Sequence, residues 1–171
     1  MKPKLLIPLL CILMFGCNGQ NAKIKDTTNI YPKESFVGFT AELKGKPLVG
    51  SMNHEFKNFD KKAEFPWCLH MIVLLDTNNL FANGLPKTEE SNIAYKTEDS
   101  LLALIRNIEP AQYVGHFFND GFLDIFFYVQ ESKKIDDFFR LHKDDKRVRE
   151  FGWDIEKDVS WSKVEEYMRD K

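Results

Sequence analysis

Tyr113-Val114-Gly115-His116-Phe117-Phe118, Asn119-Asp120-Gly121 and Phe122-Leu123-Asp124-Ile125-Phe126-Phe127-Tyr128-Val129 are the stretch that decides the architecture. Two apolar, aromatic-rich runs flank an Asp-Gly step, the strongest short-range signal of a β-hairpin. Loop length sets which side chains meet. A three-residue loop places His116 opposite Asp124, whereas a two-residue Asp-Gly loop pairs His116 with Ile125.

The elements around this hairpin follow from periodicity. Towards the C-terminus, Ser132 to His142 reads as a helix with Ile135, Phe138, Phe139 and His142 on one face. Val148 to Ile155 reads as a strand, and Ser160 as the cap of a short helix carrying Trp161, Val164, Tyr167 and Met168 inward. Towards the N-terminus, a helical region spans about Thr88 to Ile108 and stops at Pro110. Its strongest part is expected to begin at Thr97 as an N-cap, with Glu98 and Asp99 in the first turn and Leu101, Leu104, Ile105 and Ile108 at helical spacing. Trp67 to Leu75 is nearly continuous apolar sequence, the pattern of a central strand covered on both faces. Val37, Phe39, Ala41 and Leu43 alternate with smaller or polar residues, and Leu48, Gly50, Met52, His54 and Phe56 fall on one face of a second strand beyond a Lys44–Pro47 turn. Hairpins dominate this order. It predicts an α+β fold, a mainly antiparallel sheet with helices packed on one face.

The first seventeen residues are of another kind. Lys2 and Lys4 precede an apolar run from Leu5 to Phe15 that closes on Gly16-Cys17. The run is about a dozen residues where a bilayer span needs ~20. It has the layout of an export signal, and Leu13-Met14-Phe15-Gly16-Cys17 looks like a lipoprotein processing site with Cys17 as the acylated residue. This reading divides the chain into a signal peptide (1–16), a flexible polar tether (17–34) and a single domain (35–171). It puts the protein in the cell envelope, membrane-anchored through Cys17, on the periplasmic side or the cell surface.

Composition bounds the partners. Without residues 1–16, 22 basic and 26 acidic residues give a net charge of −4. A mildly acidic, charge-interspersed surface lacks the footprint of a nucleic-acid binder. Cys11 leaves with the signal, and acylation of Cys17 leaves Cys68 without an intrachain disulfide partner. Fifteen phenylalanines point to an aromatic core.

Several segments in this order carry a family resemblance: Asn83-Gly84-Leu85-Pro86, a helix, Tyr113-Val114-Gly115, Gly121 to Tyr128, and Asp158-Val159-Ser160-Trp161. Together they resemble the bacterial domain-of-unknown-function family six-nine-five, from roughly Ser35 to the end. The activity of that family is not established, so the resemblance implies no catalytic residues. It does imply kinship in fold with the protein inhibitor of ribonuclease E, hence a ferredoxin-like core that binds another protein. An intracellular ribonuclease would not meet an exported, lipidated chain, so only the fold implication applies.

Chemistry-bearing residues are few. Cys68 and His70 are two apart on a strand and share a face, half of a metal site that His54 or His116 could extend. A lone Cys-x-His has no diagnostic ligand spacing, so Cys68 reads first as a small core residue next to Trp67. His116 with Asp124 could form an oriented base or an ordinary cross-strand pair. No nucleophile elbow, phosphate loop or His-Glu helix motif accompanies them, and no cofactor is expected. The charges from Lys133 to Glu150 mix both signs, as a solvated face does. Trp153 and Trp161 fit core packing before a ligand platform. Two functions are therefore open: a non-enzymatic envelope module that binds a protein partner, and a metal-dependent or His/Asp-based envelope hydrolase.

Overall fold

The structure is a computed structural model, and it describes residues 30–169. Residues 1–29, including Cys17 and most of the expected tether, lie outside the described residues. From Ile30 onward that segment rests on the domain: Gln112 Nε2 donates to the Ile30 carbonyl at 2.6 Å, and the Arg106 guanidinium sits 4.9 Å from the Tyr31 ring centroid.

Six strands form one antiparallel sheet: β1 (Phe36–Leu43), β2 (Lys46–Asn53), β3 (Trp67–Leu74), β4 (Ala111–Asn119), β5 (Phe122–Val129) and β6 (Phe151–Lys157). Their order is β1-β2-β4-β5-β3-β6. Helix α1 (Thr88–Ile108) links β3 to β4, α2 (Ser132–Leu141) links β5 to β6, and α3 (Ser162–Glu165) follows β6. The segment from β3 to β6 is thus β-α-β-β-α-β, with β5 inserted between β3 and β4. That is the split βαβ arrangement of a ferredoxin-like core, extended beyond β4 by the β1–β2 hairpin. The α+β, antiparallel expectation is met.

The hairpin uses the shorter loop. Asn119 pairs with Phe122, and Asp120 and Gly121 have φ of 45° and 88°, the two positive values of a type I′ turn. His116 therefore faces Ile125, and Asp124 faces Phe117. A bulge follows further along. Tyr113 pairs with Phe127 but Gly115 with Phe126, leaving Val114 as the extra residue. Gly115 has φ 151°, and a Cβ there would stand 2.2 Å from the Ser51 carbonyl oxygen, so the site admits only glycine.

The sheet has a core on each face. On one, α1 and α2 cover Leu69, Met71, Val73, Leu123, Ile125, Phe127 and Val129 through Ala94, Leu101, Ile105, Ile135 and Phe139. On the other, the C-terminal segment covers Leu48, Met52, Cys68, Phe117, Phe126 and Tyr128 through Trp161, Val164 and Met168. The layering is thus finer than helices on one face alone: the third, short helix closes the opposite face. Trp161 stacks on Tyr128 with ring centroids 3.9 Å apart, and its indole N–H donates to the carbonyls of Lys62 and Phe65.

Three local expectations are corrected. Thr97 is not an N-cap; it lies inside α1 and its hydroxyl donates to the Ile93 carbonyl at 3.0 Å. Asp158, not Ser160, caps α3, because its carboxylate accepts from the Ser162 and Lys163 amides at 3.0 Å each. β2 ends at Asn53, whose side chain accepts from the Glu55 amide and turns His54–Asn58 into a 3-10 segment, so His54 leaves the strand.

Candidate functional site

The expected His116–Asp124 pair does not form. Cross-strand partners point to the same face, so the Asp120–Gly121 turn sends His116 to the helical face with Ile125 and Asp124 to the opposite face with Phe117. Each finds another partner.

On the face closed by Trp161, Asp124 meets His70. The two strands are neighbours: Asp124 faces Ile72, and His70, facing Phe126, is its diagonal neighbour. His70 Nε2 lies 2.6 Å from Asp124 Oδ1. The imidazole also stacks on Phe126, centroids 4.6 Å apart and planes 3° apart. These contacts fix the ring in position and plane beside a cleft of about 480 Å³, lined also by Leu43, Phe117, Asn119, Phe122, Lys163 and Tyr167. The pair is reachable from solvent, the side chains being 27% and 14% exposed. Phe122 is an exposed aromatic at the rim, and burial raises the Tyr167 phenol to about 12.

Cys68, two residues from His70 on the same face, does not join it. Its thiol is fully buried beside Tyr128, and burial pushes it up to about 12, so it stays a protonated, unreactive core group. His54 sits on the 3-10 turn, and His116 on the far face. Among the described residues, no group of three or more His, Cys, Asp or Glu side chains is placed to hold a metal ion. The cleft lining includes no serine, threonine or cysteine. Chemically, the dyad can orient a proton donor or acceptor towards a bound molecule.

On the helical face, His116 enters a buried network. His116 Nδ1 is 2.9 Å from Glu98 Oε1 and 2.8 Å from the Tyr113 hydroxyl, which itself donates to Glu98 at 2.5 Å. Burial, then the neighbouring Glu98 carboxylate, raise the Tyr113 phenol far above its ordinary value. In a regular strand, residues 113 and 116 would lie on opposite faces. The bulge at Val114 adds one residue and brings both to the same face. Glu98 reaches them because it occupies the inward stripe of α1 with Ala94, Leu101 and Ile105.

Sequence reasoning found His70, Asp124 and His116 but assigned the wrong partners, and it missed Tyr113, Glu98, Phe122 and Tyr167. Two signals were available. Glu98 falls four residues after Ala94 and three before Leu101, a charge in an apolar stripe. Gly115 inside a strand is the mark of a bulge.

A ferredoxin-like α+β domain with an aromatic, histidine–aspartate cleft on one sheet face is the class that this fold and site define. A family model, the family of unknown function DUF695, matches residues 36–168, and the chain belongs to that family. No curated protein and no solved structure matches it.

Proposed function

We propose that this protein is a lipid-anchored binding module of the bacterial cell envelope that takes up a protein or other envelope component in the His70–Asp124 cleft. The observation that carries this reading is the composition of the cleft. The His70–Asp124 pair, with Asn119 and Lys163 beside it, sits among Leu43, Ile72, Phe117, Phe122, Phe126 and Tyr167. Apolar walls with a few convergent polar groups are what ligand sites use: the walls supply affinity, the polar pair supplies orientation. Anchoring rests on the Gly16-Cys17 signal. Acyl chains contribute ~0.8 kcal/mol per buried CH₂, and stable attachment takes more than one chain, which a multiply acylated Cys17 would supply.

The test is affinity capture from envelope extract by the membrane-extracted protein, wild type against the His70→Ala/Asp124→Ala variant. The expected result is one discrete component retained by the wild type and lost from the variant. Equal retention by both would remove the cleft from the account. Mass spectrometry of the same preparation should show a mature N-terminus at an acylated Cys17, and an unmodified or different N-terminus would contradict the anchor.

A second reading draws on the 2.6 Å contact between His70 and Asp124. A carboxylate that orients an imidazole is the arrangement of a general base, and an envelope hydrolase would use it to activate water. Hydrolysis of the captured component that stops in His70→Ala would favour this reading over binding alone.

A further inference from the structure

The helical face carries a second concavity, unrelated to the His70 cleft. It runs between α1, the end of α2 and the 142–151 connection, and encloses about 600 Å³. Its surfaces are apolar: Ile93, Leu101 and Leu104 of α1, Phe138 and Phe139 of α2, and Phe151 of β6. The two hydroxyls that line it do not change this. Thr97 Oγ1 donates to the Ile93 carbonyl and Ser100 Oγ to the Lys96 carbonyl, so both are spent on their own helix. The remaining polar groups sit towards the mouth.

Charge there is unbalanced. The Asp145 carboxylate lies 2.9 Å from His142 Nδ1, and the buried Glu90 carboxylate is paired with Arg149. Lys96 has no carboxylate partner among the described residues. Arg147 lies over the Phe151 ring at 4.3 Å and donates to the carbonyls of His142 and Lys143, with Glu150 only at 3.9 Å. Three cations, Lys96, Arg147 and Arg149, thus stand against two carboxylates, Asp145 and the buried Glu90, and the mouth carries a surplus of one positive charge. Val148 at the mouth and Leu141 beside it are 75% and 79% exposed.

We propose that this groove binds a long-chain fatty acid, its alkyl chain along Leu101, Leu104, Phe138 and Phe151 and its carboxylate at Lys96 and Arg147. The interior selects the occupant. An extended peptide would bring backbone N–H and C=O groups against the apolar walls, where each unpaired group costs on the order of 1–3 kcal/mol. An alkyl chain needs no partners, and its single polar end would sit where the cations are. A neutral lipid would leave those cations without a counter-charge.

The probe is palmitate carrying a diazirine on its chain, photolysed with the full-length protein in lipid nanodiscs, with adducts mapped by peptide mass spectrometry. Adducts are expected within residues 93–104 and 138–151, competed away by unlabelled palmitate and not by its methyl ester. Leu104→Trp, which fills the groove, and the exposed-site variant Lys96→Glu should each lower labelling about tenfold, ~1.4 kcal/mol of affinity. Asp124→Asn, on the other face, should leave it unchanged, which separates this result from the fate of the cleft. Adducts confined to other segments, or adducts at 141–148 that palmitate does not compete, as for a surface merely touching the bilayer, would overturn the proposal. Equal competition by the methyl ester would overturn the role of the cations.

Discussion

The two faces of the sheet each carry a histidine beside a carboxylate, and they put the same chemistry to opposite uses. Under α1, a helix of 21 residues, His116 and Glu98 are roofed over and locked to Tyr113. On the other face the cover is α3 and the turn after it, seven residues in all from Ser162 to Met168. That cover packs on Tyr128, Cys68 and Phe126 and borders the cleft with Lys163 and Tyr167, but it leaves His70 and Asp124 partly open, at 27% and 14% exposure. The length of the covering element, not the identity of the pair, separates a structural network from an accessible site. A buried polar network stabilises when its members are satisfied, and here the Tyr113 hydroxyl, His116 Nδ1 and Glu98 Oε1 all lie within hydrogen-bond distance of one another. The His70 pair is the more exposed of the two, at 27% and 14% against 12% and 7% for His116 and Glu98.

The largest effect should come from removing the short cover. Trp161→Ala deletes a fully buried indole stacked on Tyr128 and should cost about 3–5 kcal/mol in urea unfolding. A loss below about 1 kcal/mol would mean that the C-terminal segment does not hold this face closed. Next comes the roofed network. Glu98→Ala removes the carboxylate from the network, leaving the Tyr113 hydroxyl and His116 only each other, and should cost about 1–3 kcal/mol while sparing capture of the envelope component. The open pair should behave in reverse: Asp124→Asn should move stability by less than about 1 kcal/mol yet abolish capture.

Acid should act through the carboxylates that are held charged. The hydrogen bonds from Arg149 hold Glu90 below its ordinary 4.5. Burial opposes ionisation of Asp158, but the Lys163 amide, Tyr128 and Ser162 outweigh it and hold that carboxyl below 3.8. The unfolded chain takes up these protons more readily than the folded one. The stabilisation is therefore complete above about pH 4.5 and is lost as pH falls through the folded values. Asp158 closes the Trp161 face and Glu90 ties the 142–151 connection to α1, so both faces should loosen together in an acid titration followed by tryptophan fluorescence and amide exchange. Glu109 has the opposite sign. Burial raises its carboxyl, and Oε2 has no hydrogen-bond partner among the described residues. Its ionisation destabilises the fold as pH rises above 4.5, so Glu109→Gln should gain about 1 kcal/mol at neutral pH.

The fold was largely legible in the sequence because strong periodicities agreed with each other. The continuous run at Trp67–Leu74, the span Thr88–Ile108 and the Asp-Gly hairpin together define the core from β3 to β6. What was not legible depended on single residues. One loop residue more or fewer decides whether His116 meets Asp124, and the Asp120–Gly121 turn chose the shorter loop. The bulge at Val114 then reversed the face of Tyr113 relative to His116, which no alternation rule anticipates unless Gly115 is read as a bulge. Thr97-Glu98-Asp99 resembled a helix start because a cap and first-turn acids look alike in sequence; the helix, which begins at Thr88, was already about two and a half turns old. The wide separation of Phe122 and Tyr167 along the chain concealed the cleft they share.

The contrast between the two faces can be tested in one experiment: photo-cross-linking in envelope extract with p-benzoylphenylalanine placed at Phe122, beside His70, or at Tyr95, beside His116 on the helical face. A discrete adduct from position 122, abolished by Asp124→Asn and absent from position 95, is the predicted result. An adduct from position 95 and none from position 122 would contradict the assignment of the cleft as the binding face.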